Sequence, residues 1–445
     1  MIEQEIGRKL ADFRELGFPD YIPREGRVHR VRNMVSVLIG ARRVGKSFQA
    51  MQFAEELIQE GFIPDRAHVC HLDFDNPILA QMRAEQLPSI QRIFFQQNPS
   101  FHLKTPIVYI FDELHRVQGW EDYAIELSRN PHWQVIVTGS SARLLSTEIA
   151  TSLRGKAIST TITPLSFREF LSFKKIDPLG QTTRQTAALH LAFEEYLRWG
   201  SFPVISQVAE FTRPTLLREY YDTMLLRDII QRNEIHCVDD CIALYAYLLS
   251  CMAKPFTIKS AQSCLTGAGF NTGREAISRY IRYAEDAWLF QTVPLYTDSI
   301  KQVSRNYRKV YAVDWAFANY NSPTWDGSFS RALENLVFVE LSRRYPRVCY
   351  GLAFSTRQEV DFIVDDSHGK PCLAVQVCQD ISDPDTFMRE ITPLIAVTQY
   401  YRLPESLILT VGNEERNIQR DGVNVHICPV WKWLIGEPNP PRGSL

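Results

Sequence analysis

Between residues 34 and 165 the chain alternates two rhythms. Short apolar runs at 35–39, 68–74, 107–111 and 135–138 are separated by longer stretches rich in Glu, Gln and Arg. Short runs that are apolar at successive positions, joined by amphipathic segments long enough to cross back, predict a parallel sheet flanked by helices. From about 167 to 250 the spacing of apolar residues becomes helical, as in REYYDTMLLRDIIQRNEI and CIALYAYLLSCMA, which predicts an all-helical connector or lid.

Residues 254–310 read as a helix, a turn at 267–269, a second helix starting near a Thr272 cap, and a strand pair, QTVPLY and KVYAVD. That order is the outline of a winged helix-turn-helix. Residues 331–435 return to mixed α/β: a helix in RALENLVFVELSRRY, strands around CYGLAF, EVDFIV and CLAVQVC, a helix over 384–398, then strands SLILTV and VNVHICPV. The expected domains are therefore 1–166, 167–250, 251–330 and 331–445.

Composition narrows the class. Of 445 residues 45% are hydrophobic and 22% charged, which disfavours disordered, collagen-like and disulfide-scaffold chains. Forty-nine basic and fifty-one acidic residues leave a net charge of −2, so no whole-chain field draws a nucleic acid or a membrane. Locally the picture changes. Residues 257–310 carry eight basic side chains (Lys259, Arg274, Arg279, Arg282, Lys301, Arg305, Arg308, Lys309) against four acidic ones (Glu275, Glu285, Asp286, Asp298), a net of +4. Arg274, Arg279 and Arg282 fall on the second helix of this segment, as groove and phosphate contacts to DNA require. Nine cysteines without a CxxC pair fit a reduced cytosol; Cys237 and Cys241 could share a helix face, but no second pair with metal spacing follows. No apolar run reaches the roughly 18 residues of a membrane span, and the start of the chain lacks a signal-peptide core, so a cytoplasmic location is expected.

The sharpest chemical signal is Gly40-Ala41-Arg42-Arg43-Val44-Gly45-Lys46-Ser47, a full match to GxxxxGK(S/T) lying after the strand MVSVLIG and before the helix SFQAMQFAEELIQ. Such a loop turns its backbone N–H groups inward at a helix N-terminus, the geometry that cradles phosphate. Lys46 would neutralise β- and γ-phosphate charge and the Ser47 hydroxyl would ligate magnesium. The strand 107–111 ends in Asp112-Glu113, which offers a second magnesium carboxylate and a base for the attacking water. Next comes QVIVTGSS, whose Thr138, Ser140 and Ser141 are sensor candidates, Ser140 or Ser141 favoured by their place at the strand tip. Arg143 and Arg154 are both candidates to reach a γ-phosphate, in cis or across a subunit interface.

GARRVGKS, YIFDELHRV, VTGSSARLL and SLRGKAISTTITPLSFREF, followed in order by YLRWGSFPVI, LREYYDTMLLRDII, RYAEDAWLF, KVYAVD, LENLVFVEL, EVDFIV and AVQVCQDISD, resemble bacterial and archaeal AAA+ superfamily ATPases that carry a C-terminal domain of unknown function. The resemblance covers nearly the whole chain. It implies an ATP-binding module of P-loop NTPase fold, a winged-helix segment and a nuclease-like C-terminal fold, and it is the only ground for ATP over GTP.

That C-terminal block looks like the PD-(D/E)xK nuclease fold, whose active members need a helix Glu, a strand Asp and an E-x-K on the next strand. Glu334 matches the helix acid and Asp361, in Glu359-Val360-Asp361, the strand acid. The E-x-K position reads Gln376-Val377-Cys378, so a carboxamide and a thiol stand where a carboxylate and an ammonium belong. Cleavage is not expected, and Cys378 reads as a core thiol. The expectation is a MgATP-hydrolysing enzyme whose nucleotide state moves these modules, with DNA through 257–310, a client protein or further copies of the chain as partners. A slow nucleotide-gated switch or DNA-binding regulator is the alternative, and an ATP-dependent nuclease a third.

Overall fold

The computed structural model describes residues 1–140, 153, 155–180, 182–297, 307–322, 325–353 and 357–436. They divide into two compact units, residues 1–163 with 286–288, and residues 164–285 with 289–445.

The first unit is built on a five-stranded parallel sheet: β1 (Val35–Ile39), β2 (Val69–Asp73), β3 (Ile107–Asp112), β4 (Trp133–Gly139) and β5 (Ala157–Thr161), in the order β2-β3-β4-β1-β5. Every residue of β1, β3 and β4 is buried, which explains why their sequences are apolar runs without alternation. Helices α1 (Ile2–Leu16), α2 (Lys46–Gln59), α3 (Pro88–Gln97) and α4 (Trp120–Ser128) supply the cover. The feature that matters for chemistry is β4, which lies between β1 and β3 and pairs with both. Its C-terminal tip therefore falls between the loop after β1 and the acids ending β3. This is the P-loop NTPase arrangement with an additional strand, as expected from sequence. Two elements escaped the sequence pattern. The edge strand β5 is AISTT, partly exposed and without an apolar run, and α1 lies before the alternating region, although its Ile2, Ile6, Leu10 and Phe13 recur at helical spacing.

The second unit opens with helices, each with a legible start. In α5 (Phe167–Phe173) the Ser166 hydroxyl accepts from the Glu169 N–H while Glu169 reaches back, and Thr182 and Gln185 do the same for α6 (Thr183–Trp199). Then follow α7 (Pro203–Gln207), α8 (Arg213–Thr223), a π-helical segment over Met224–Gln231, and α9 (Val238–Ser250). A small antiparallel sheet comes next, β6 (Pro255–Phe256), β7 (Phe290–Val293) and β8 (Arg308–Ala312) in the order β6-β8-β7, with α10 (Ile258–Gly267) and α11 (Arg274–Asp286) between its strands. Thr272 does not cap α11 with its side chain; its hydroxyl donates to Asp240 on α9 at 2.6 Å. Of the two cysteines at helical spacing, Cys237 is the exposed N-cap residue of α9 and Cys241 is buried.

After α12 (Phe317–Asn321), helix α13 (Phe329–Arg344) leads into a six-stranded sheet of β9 (Arg347–Leu352), β10 (Glu359–Asp365), β11 (Pro371–Val377), β12 (Glu405–Thr410), β13 (Arg416–Arg420) and β14 (Val423–Pro429), in the order β13-β14-β12-β11-β10-β9. The first three strands are antiparallel, α14 (Pro384–Tyr401) crosses over, and β12 returns parallel to β11. Helix α15 (Val430–Ile435) ends the described chain. Buried Asn335 ties α13 to β8, accepting from the Ala312 N–H at 2.8 Å and donating to the Ala312 carbonyl at 2.9 Å.

Candidate nucleotide site and basic groove

The loop 40–45 joins β1 to α2 through residues held at positive φ: Gly40 at 150°, Arg43 at 68° and Gly45 at 99°. At Gly40 the requirement is also steric, since a Cβ there would lie 2.0 Å from the Ile162 carbonyl oxygen. Ala41 and Val44 pack inward, and Arg42 reaches Asp75 at 3.5 Å. Arg24, on the segment before β1, braces the loop from outside by donating to the carbonyls of Val44 (2.8 Å) and Thr163 (2.9 Å). Lys46 opens α2. Its side chain is buried and folds back to donate to the carbonyls of Gly40 (3.2 Å) and Ala41 (3.0 Å), with Nζ 3.8 Å from Glu113 Oε1. Ser47, half-buried, follows in the first turn, where helix geometry leaves backbone N–H groups without intrahelical partners.

Asp112 ends β3 and is buried. Its Oδ1 accepts the Thr138 hydroxyl at 2.8 Å and its Oδ2 lies 3.1 Å from His71 Nε2. Thr138 also accepts the Glu113 N–H at 3.1 Å, so a single β4 side chain sets both acids. Glu113 is held at φ 53°, a left-handed conformation a glutamate adopts only when its surroundings fix it. Its Oε2 accepts from the Ser140 N–H (3.3 Å) and hydroxyl (3.2 Å), and lies 3.4 Å from His115 Nδ1. Burial pushes the Glu113 carboxyl up, but Lys46, His115 and Arg42 together with the Ser140 hydrogen bond outweigh it and hold the group below 4.5. Hard oxygen donors, one hydroxyl at Ser47 and one carboxylate at Asp112, suit a magnesium ion that keeps most of its waters.

Lys46, Asp112, Glu113, Thr138 and Ser140, all singled out from sequence, thus meet at one end of the sheet. Ser141, Arg143 and Arg154 lie outside the described residues. Sequence reasoning missed His71, His115 and Arg24. The one available signal was His71 itself, a polar residue inside the apolar run 68–74.

A second feature lies in the other unit. A cavity of about 700 Å³ beside α10 and α11 is lined by Lys259, Arg274, Arg282, Arg308, Glu285 and Tyr307, among others. Glu285 is engaged by the Thr292 hydroxyl at 2.6 Å. Arg274 bonds Gln262 and Arg308 bonds Thr292, so among the described residues these cations meet neutral partners rather than carboxylates. Elsewhere Glu415, His426 and Cys428 offer ligand atoms within 4.8 Å of one another, but the Glu415 carboxylate is already paired with Lys432. Among the described residues no helix is long and apolar enough to cross a membrane.

Residues 32–171 match a family model described as an AAA domain, and residues 190–324 match a domain of unknown function (DUF8612). An uncharacterized protein of Methanocaldococcus jannaschii is 28% identical over 425 residues, covering 93% of this chain and 91% of that protein. One from Haemophilus influenzae is 28% identical over 406 residues, covering 91% of this chain and 94% of its own length. Among solved structures, a Walker-type ATPase of Pyrococcus abyssi aligns over 72% of this chain and 95% of its own, with 13% identity and a TM-score of 0.42. The matched segment 32–171, its strand order and its phosphate loop together give the N-terminal part of this chain the P-loop NTPase fold, with similarity to the AAA domain.

Proposed function

We propose that the chain binds and hydrolyses MgATP at residues 40–47, and that its second unit is the effector on which nucleotide state acts. The observation that carries this reading is the convergence of Lys46, Asp112, Glu113, Thr138 and Ser140 at the C-terminal edge of the five-stranded sheet. In this reading the backbone of Gly40, Ala41, Arg42, Arg43, Val44 and Gly45 wraps the phosphates. Lys46 exchanges two loop carbonyls for β- and γ-phosphate oxygens. Ser47 and Asp112 would hold magnesium, which when bound neutralises charge on the phosphates. Glu113 is ionised at neutral pH and takes a proton from the attacking water; Ser140, bonded to Glu113, senses the γ-phosphate side of the site. Arg154 or Arg143, from this chain or another copy, is the proposed γ-phosphate arginine, and ATP rather than GTP follows the AAA match. Lys46→Ala is expected to abolish binding of a fluorescent ATP analogue; undiminished binding would remove the phosphate loop from the mechanism. Turnover separates an ATPase motor from a slow switch: near-stoichiometric hydrolysis, with and without DNA, favours the switch.

The basic groove supports a second, compatible role. We read α10, α11 and the β6-β8-β7 sheet as a winged helix whose cations, Arg274 and Arg308 bonded to neutral partners among the described residues, contact the backbone phosphates of DNA. The layout of α13, three antiparallel strands, α14 and parallel β12 supports a nuclease-derived fold. Gln376 and Cys378, the latter half-buried with its thiol donating to the Asp380 carbonyl at 3.1 Å, leave it without the expected carboxylate and lysine on β11.

A further inference from the structure

The second unit holds a charge cluster that nucleotide chemistry does not use. Lys309, on β8, is 1% exposed, yet its ammonium lies 2.7 Å from Glu334 Oε1 on α13, 2.5 Å from Glu359 Oε1 and 3.4 Å from Asp361 Oδ1, both on β10. Tyr311, two residues further on the same face of β8, donates its hydroxyl to Glu334 Oε1 at 2.7 Å. The other oxygen of Asp361 accepts the Val377 N–H at 2.9 Å. Gln376 closes the floor, accepting the Asp361 N–H at 3.2 Å and donating to Glu390 at 2.6 Å.

Burial pushes such a lysine down, but Glu334, Tyr311, Asp361 and Glu359 outweigh it and hold Lys309 well above the ordinary lysine value. Three carboxylates face one ammonium, and burial and, for Asp361, the neighbouring Glu334 charge raise the Asp361 and Glu334 carboxyls. A divalent ion held by carboxylates sits about 2.0 to 2.6 Å from their oxygens. Lys309 Nζ, 2.5 to 3.4 Å from one oxygen of each of Glu334, Glu359 and Asp361, sits among the three acids, and its charge opposes a divalent ion in the same place. The residues therefore do not fit the metal that a nuclease fold implies.

We propose that Lys309 is the resident cation of this cage, an ammonium supplied by β8 that takes the place of a divalent ion and clasps the small β6-β8-β7 sheet to α13 and β10. Its link to ancestry rests on the nuclease-derived reading of the second unit; the clasp itself rests on the distances. The module is then a sealed joint, and the lysine absent from β11 has a spatial counterpart that arrives from another strand. Asn335, bridging both backbone groups of Ala312, fixes β8 in the same place.

The test is Mn2+ binding by the full nucleotide-free chain, followed by electron paramagnetic resonance in matched wild-type, Asp361→Asn, Lys309→Met and doubly substituted proteins. The expected result is that wild type and Asp361→Asn bind Mn2+ alike up to about 1 mM, whereas Lys309→Met gains one site, about tenfold tighter than any in wild type, that Asp361→Asn removes. A wild-type Mn2+ site lost in Asp361→Asn overturns the proposal, and so does a folded Lys309→Met without a new site. Should Lys309→Met not fold, amine acylation of wild type read by mass spectrometry decides: Lys309 must stay unmodified with and without Mn2+, and labelling that appears on adding Mn2+ shows the ion displacing it. Plasmid cleavage with Mn2+ and ATP that Asp361→Asn abolishes would instead sink the reading of an inactive nuclease-derived module, independently of the acylation result.

Discussion

Glu113→Gln isolates the proposed base from everything else in the site. Gln is isosteric, so the side chain can still accept from the Ser140 hydroxyl and backbone at the observed 3.2 and 3.3 Å, and Thr138 still holds the backbone N–H of residue 113. What disappears is the negative charge facing Lys46 at 3.8 Å and His115 at 3.4 Å, and with it the capacity to take a proton. General-base catalysis contributes about 100- to 10,000-fold, or roughly 3 to 5 kcal/mol of barrier, so steady-state phosphate release at saturating MgATP should fall by that factor. Binding should not weaken. One fewer negative charge beside the phosphates leaves affinity for a fluorescent ATP analogue equal to or tighter than that of wild type. Because neighbouring cations hold Glu113 below 4.5, the wild-type rate should show no acid limb near neutrality; protonation of this group cuts the rate only below the ordinary carboxylate range. Turnover by Glu113→Gln within about threefold of wild type, with binding intact, would mean that another group activates the water.

Three further perturbations test other parts of the molecule. Gly40→Ala forces a Cβ to 2.0 Å from the Ile162 carbonyl at a φ of 150°, and should destabilise the first unit by about 3 kcal/mol in thermal or denaturant melts; a wild-type midpoint would show that the loop can shift freely. Asp314 is fully buried, accepting from the N–H groups of Ser201 and Ala316, and burial pushes its carboxyl up to about 6. A folded value above the unfolded one stabilises most at low pH and is lost as pH rises through about 6, so wild type should gain roughly 1 kcal/mol more than Asp314→Asn between pH 7 and 5 in paired denaturant titrations. Parallel curves would mean Asp314 is ionised throughout. For the groove, Arg274→Glu with Arg282→Glu should lower the slope of log affinity for duplex DNA against log salt by about two; an unchanged slope would place DNA elsewhere or nowhere.

Much of the nucleotide site was legible because each of its parts is local. A phosphate loop is eight consecutive residues whose glycines, lysine and serine are dictated by a turn and a helix start, and Asp112-Glu113 closes an apolar run on the same principle. The strand order was legible in kind, since buried strands with helical crossovers form parallel sheets. What stayed hidden depends on register. His71 reaches Asp112 because β2 and β3 run side by side with His71 opposite Ile110, and no spacing within either strand announces that. Thr138 was one sensor candidate among three; only the insertion of β4 between β1 and β3 sets its hydroxyl against both acids at once. The polar edge strand β5 failed a search for apolar runs because an edge strand has less to bury.

The C-terminal block shows the same limit from the opposite side. A motif such as E-x-K encodes two charges on one strand, so Gln376 and Cys378 report only that β11 carries neither of them. They cannot report whether the space has lost its positive charge. Electrostatics depends on where an ammonium ends, not on which strand it leaves, and Lys309 reaches Glu334 and Asp361 from 25 and 52 residues upstream. Carboxylates buried as Asp361 is, at 7% exposure, need a cation or a proton nearby. The fixed ammonium of Lys309 meets that need without depending on ion supply. The cluster then acts on the fold rather than on a substrate, because a permanently seated ammonium holds β8 to its acids in every nucleotide state. If nucleotide state acts on the second unit as proposed, the small β6-β8-β7 sheet and the C-terminal sheet would respond as one body. Separate motion of the two would require withdrawing a charged lysine from three carboxylates, a step that leaves the acids buried and uncompensated.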